Sequence, residues 1–84
     1  MSENKTEKKL LVKATATIFV GKLVEVDQTK NGNYLFIVVD ENGIANRVVV
    51  PPDMVVNDIY ENDTIRCGWD EEQRPIRVTV IEQA

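Results

Sequence analysis

The sequence predicts an all-β fold, a small five-stranded Greek-key barrel. Three observations predict it. Apolar residues alternate with polar ones in several short runs, which is the period of a half-buried strand. The runs are separated by short polar turns containing Asn-Gly pairs. One longer connector falls between the third run and the fourth, so three strands precede it and two follow.

The first run, Leu10–Val26, is the longest. Its even positions Val12, Ala14, Ala16, Ile18, Val20, Val24 and Val26 are apolar or small, and Lys13, Thr15, Thr17 and Glu25 are polar. The even row is therefore expected inside, with Phe19 and Leu23 facing out. Gly21 lies mid-run, where a missing side chain suits a bulge or sharp bend. A long bent first strand lets a small barrel close, because it pairs in both halves of the sheet.

Asn31-Gly32 predicts a hairpin turn into Tyr34–Val39. That strand is apolar on both faces, and the row Leu35, Ile37 and Val39 is expected inside. Glu41-Asn42-Gly43 turns into Ile44–Val50, completing a meander. Pro51-Pro52 ends the third strand, since proline cannot donate to a ladder. The connector 53–63 admits a short helical turn capped by Asp53 or an irregular loop, as Val55-Val56 disfavours helix. Thr64–Trp69 and Ile76–Ile81 complete the set, with Ile65, Cys67, Ile76, Val78 and Val80 inward. Residues 1–8 are polar and charged and are expected to form a disordered tail. The barrel domain is then 9–84.

Composition excludes several chemistries. The chain has 84 residues, no histidine and one cysteine, Cys67. A Ser-His-Asp triad, a Cys-His pair and a histidine-ligated metal site are excluded, and one chain cannot form a disulfide or a multi-cysteine zinc site. No enzyme, cofactor or metal is expected. A lone thiol and a polar start without a signal-type apolar run lead to an expected cytoplasmic location. Net charge is −4, unevenly spread. Residues 1–50 carry seven Lys/Arg against six Asp/Glu, and residues 51–84 carry three Arg against eight Asp/Glu. An anion-binding face is therefore expected on the first three strands.

Gly21 in a long first strand, the Asn31-Gly32-Asn33 and Glu41-Asn42-Gly43 hairpins and the Glu61-Asn62-Asp63-Thr64-Ile65 entry to the fourth strand carry a resemblance. Together they resemble the OB-fold superfamily, and within it the small single-domain nucleic-acid binders. An SH3-like barrel has the same strand count and is the alternative. The pattern departs from those binders in its acidic charge and in Asn62-Asp63, where their fourth strand is entered by Gly-Asp. The resemblance implies binding of single-stranded nucleic acid, DNA or RNA, across one face of the barrel.

The residues themselves offer matching candidates. With the even row of the first strand inside, Phe19, Tyr34 and Phe36 face out together as a stacking platform for bases. Lys13, Lys22, Lys30 and Arg47 border it and neutralise phosphates. The same aromatics equally suit a second small core or a homodimer contact. Trp69 is suited to a core edge or to exposed stacking. The acidic residues Asp58, Glu61, Asp63, Asp70, Glu71 and Glu72 form either solvated turns or a docking patch for a basic protein partner. Two functions are thus expected: a single-stranded nucleic-acid binder, or a regulatory module whose acidic half docks on a basic partner. The second could inhibit a nucleic-acid enzyme.

Overall fold

The computed structural model describes residues 15–84. The expected tail 1–8 and the first five residues of the expected first strand lie outside them. The chain is all-β, with strands β1 (Thr17–Gln28), β2 (Tyr34–Asp40), β3 (Ala45–Val50), β4 (Thr64–Trp69) and β5 (Thr79–Glu82). They form one antiparallel sheet in the order β3-β2-β1-β4-β5. A short 3-10 turn, Pro52–Met54, begins the connector.

β1 is rich in β-branched residues, which suit a pleated surface. Its first half, Thr17–Lys22, pairs with β4. Its second half, Gly21–Gln28, pairs with β2. The two ladders overlap only at Gly21 and Lys22. A Cβ on Gly21 would lie 2.6 Å from the Val39 carbonyl oxygen and 2.8 Å from Val38 Cγ1. The backbones approach too closely there for any side chain. Gly68 is the other constrained glycine: its φ is +135°, and an added Cβ would meet the Thr17 carbonyl oxygen.

Gly21 is suited by sequence to a bulge or a sharp bend, and it is not the bulge. The register shift instead falls between Leu23 and Glu25, so Val24 is the extra residue. This shift reverses the facing of β1 along its length. Phe19, Gly21 and Leu23 face the core before it, and Val26, paired with Phe36, takes the core side after it.

The core row is opposite to the expected one on β2 and on β1 up to the bulge. Leu23, Phe36, Val38, Val48, Val50, Ile65, Cys67 and Val78 are buried, while Ile18 and Val20 are exposed. On β2 both rows are apolar, and on β1 the large apolar residues Phe19 and Leu23 stand in the row opposite Ile18 and Val20, so alternation pointed to the wrong row. Burying Phe36 and Leu23 removes more apolar area from water than burying the smaller residues of the opposite row, at roughly 25 cal/mol per Å².

The expected closed barrel does not form. β3 stops at Pro51-Pro52, and the β5 ladder pairs only Thr79, Val80 and Glu82 with β4. A single parallel bridge, Val55 to Val78, joins the connector to the segment before β5. There the Val78 N–H donates to the Met54 carbonyl at 2.8 Å. Asp63, expected among the solvated acids, is 2 % exposed. Its carboxylate accepts from the Tyr60 N–H and from the Ala84 N–H, both at 2.9 Å, and so ties the connector to the chain end.

Replacing Gly21 by Ala is expected to cost about 1–3 kcal/mol, because neither the Val39 carbonyl nor Val38 can retreat without disturbing a ladder. Urea unfolding measures the loss; an unchanged midpoint would show that the strands separate freely at this point.

Candidate nucleic-acid interface

The outward face of β1, β2 and β3 follows from register. Lys22 lies between Val39 of β2 and Thr64 of β4, and Val39 lies beside Ala45 of β3. Val20 pairs with Arg66, and Ile37 sits between Glu25 and Arg47. Leu35 sits between Asp27 and Val49. This face is therefore aliphatic, with Lys22 near its centre and Arg47 and Arg66 on either side. Arg47 stands level with Glu25 and Arg66 level with Val20, three strands apart and about five residues apart along β1, a separation of roughly 20 Å.

The three aromatics lie on the other side. Phe36 is 3 % exposed and belongs to the core. Tyr34 is half-buried and stacks on Phe36, ring centroids 6.0 Å apart. Phe19 is half-buried and packs at a tilt on Trp69, centroids 6.5 Å apart. The outward platform expected of Phe19, Tyr34 and Phe36 is thus not assembled. The cause is the reversed parity of β1 and β2: one residue of slip sends a whole row to the opposite face. Trp69 occupies the core edge, one of its two expected places.

Among the expected cations, Lys22 and Arg47 are exposed on the outward face, and Lys30 is exposed in the β1–β2 turn. Lys13 lies outside the described residues. Arg66 belongs with them and was missed. The signal was present in its alternation with the inward Ile65 and Cys67.

The acidic candidates divide. Asp70 holds the β4–β5 turn: its Oδ1 accepts from the N–H groups of Glu72 and Arg74, both at 2.9 Å. Arg74 also pairs with Asp70 at 3.5 Å and with Glu72. Asp40 does the same for the β2–β3 turn, accepting from Asn42 and Ile44 at 2.9 and 3.0 Å. Hydrogen bonds from the Ile44 N–H, first, and from the Asn46 side chain hold the Asp40 carboxyl below its ordinary 3.8. The Arg74 N–H is the main cause of the same shift at Asp70. Glu71 is exposed in that turn. Asp58 and Glu61 are exposed on the connector and border two adjoining hollows of about 260 and 300 Å³.

Burial pushes the Cys67 thiol up to about 11, so it is an inert core residue. Among the described residues, no group of three or more Cys, Asp or Glu is placed to hold a metal ion, and no helix is long and apolar enough to cross a membrane. Comparison with known proteins finds no matching family model, no matching curated relative and no matching solved structure.

Two expectations follow. Phe36→Ala is expected to cost about 3–5 kcal/mol and lower the melting temperature sharply, the behaviour of a core ring; a small change would put the ring at a surface. Asp40 and Asp70 have lowered folded pKa values, so the stability they give is fully present above their unfolded pKa and is lost as pH falls through the folded value. Melting temperature should therefore drop between about pH 5 and about pH 2, and drop less steeply in the Asp40→Asn, Asp70→Asn double variant. Equal slopes would show that neither carboxylate is coupled to folding.

Proposed function

We propose that this protein is a non-enzymatic, single-stranded nucleic-acid-binding module of OB type. The observation that carries the reading is the strand order β3-β2-β1-β4-β5. It is the order an OB barrel gives when opened between its third and fifth strands, and the Val55–Val78 bridge lies at that seam. An SH3-like barrel pairs its first strand with its last, which this order does not.

The binding face in this reading is the outward face of β1–β3, extended by Arg66 of β4. Lys22, Arg47 and Arg66 contact phosphates there, Lys30 stands in the adjoining β1–β2 turn, and Lys13, outside the described residues, is a fifth candidate cation. Aliphatic side chains of Ile18, Val20, Leu35, Ile37 and Val39 replace the aromatics as an apolar bed for bases. Aliphatic contact discriminates poorly between bases, so the binding has little sequence preference. Glu25 and Asp27 on the same face limit affinity.

Anisotropy of labelled oligo-dT and oligo-U at several salt concentrations tests this. Five cations predict a slope of log K against log salt no steeper than about −3.5 for a single strand. The Lys22→Ala, Arg47→Ala double variant should flatten that slope by about 1.4 with an unchanged melting temperature. No saturable binding at low salt overturns the proposal.

A further inference from the structure

β1 outruns its β4 partner. Pairing with β4 ends at Lys22, and one more pair of backbone bonds holds Leu23: its N–H donates to the Asp63 carbonyl at 2.9 Å and its carbonyl accepts from Asn62 at 2.7 Å. From Val24 to Gln28, among the described residues, β1 has β2 on one side and no strand on the other. An unpaired edge of this kind is a template for another extended segment.

The edge is also shaped and charged. On the core side it opens onto the two hollows, which share Leu23, Val26 and Ile59 as an apolar floor. Val26 is 49 % exposed there. On the outward side the same stretch presents Glu25 and Asp27, both exposed. An added strand therefore meets apolar side chains on one face and carboxylates on the other. It should alternate apolar and cationic residues.

The chain contains such a segment in Lys9-Leu10-Leu11-Val12-Lys13. In an extended segment with Leu10 and Val12 toward the apolar floor, Lys9, Leu11 and Lys13 share the face of Glu25 and Asp27, so two of its three residues are cationic. Opposite charges on neighbouring strands attract, by about 0.2–1 kcal/mol per pair. A chain cannot fill its own edge in this way. Val26 lies nine residues after Thr17, roughly 27 Å along β1 allowing for the bulge, whereas Val12 precedes Thr17 by five residues and reaches at most about 18 Å. Leu10, seven residues before Thr17, would need every residue extended and none left for the reversal of direction.

We propose that residues 9–13 of a second copy add to the Val24–Gln28 edge, and that the exchange is reciprocal. Reciprocity closes a two-fold dimer and leaves neither edge free. The proposal does not rest on nucleic-acid binding, since it is argued from the free backbone of Val24–Gln28 and not from Lys22, Arg47 or Arg66.

Sedimentation of the full chain at rising concentration and low salt tests it, with melting temperature as the check on folding. The wild-type chain should be dimeric. Leu10→Asp, Val12→Asp should be monomeric. Glu25→Lys, Asp27→Lys and Lys9→Glu, Lys13→Glu should each weaken association about tenfold or more, and their equimolar mixture should recover it by pairing unlike charges. A wild-type monomer at about 200 μM, well above the Kd expected of a specific dimer, overturns the proposal. So does a dimer that keeps its strength in the Leu10, Val12 variant, or a mixture that recovers nothing. Loss of oligonucleotide binding with an intact dimer would bear on the binding face alone.

Discussion

The close approach of two backbones at Gly21 is the constraint on which the rest of the structure depends. One strand serves two ladders, and the handover occupies two residues. A side chain there would strike the Val39 carbonyl and Val38, both of which belong to the neighbouring strand. Without that contact β2–β3 and β4–β5 would be separate hairpins, and isolated hairpins are marginal in water. With it, the five strands share a core of small and medium apolar residues that no single hairpin could bury.

The bulge at Val24 has consequences of a different kind. It turns the last part of β1 away from β4, and the connector is drawn into the space so formed by the backbone bonds at Leu23 and the carboxylate of Asp63. The hollows above Leu23, Val26 and Ile59 result from this arrangement. A buried carboxylate that spends its acceptors on backbone N–H groups acts as a clasp. The exposed carboxylates at Asp40 and Asp70 act similarly, each closing a hairpin. Much of the acidic composition is thus spent on turns, and the negative net charge says less about partners than it first suggests.

Much of the architecture was legible in the residues. The bounds of β2 and β4 and the places of the hairpins follow from alternation, Asn-Gly pairs and the Pro51-Pro52 stop. The inward set of β4 was legible because only one of its rows is apolar. The facing of β1 and β2 was not. Ile18 and Val20 compete with Phe19 and Leu23, and Leu35, Ile37 and Val39 compete with Phe36 and Val38. The expected platform depended on that choice: Phe19, Tyr34 and Phe36 lie on the core side, while Lys22 and Arg47 stand exposed on the outward face. Arg66 joins that face only through the pairing of β4 with β1, a long-range contact that charge counted along the chain does not reveal.

The sequence by itself determined what is local: strand-forming runs, the turns between them, and the absence of histidine-based chemistry. These depend on side-chain period, backbone preference and composition, all of which act over a few residues. The tertiary structure decided which row is buried, that the sheet stays open, and that β1 ends with an unpaired edge. Those outcomes depend on the bulge register and on how five strands compete for one small core. A strand with two apolar faces stores no record of that competition.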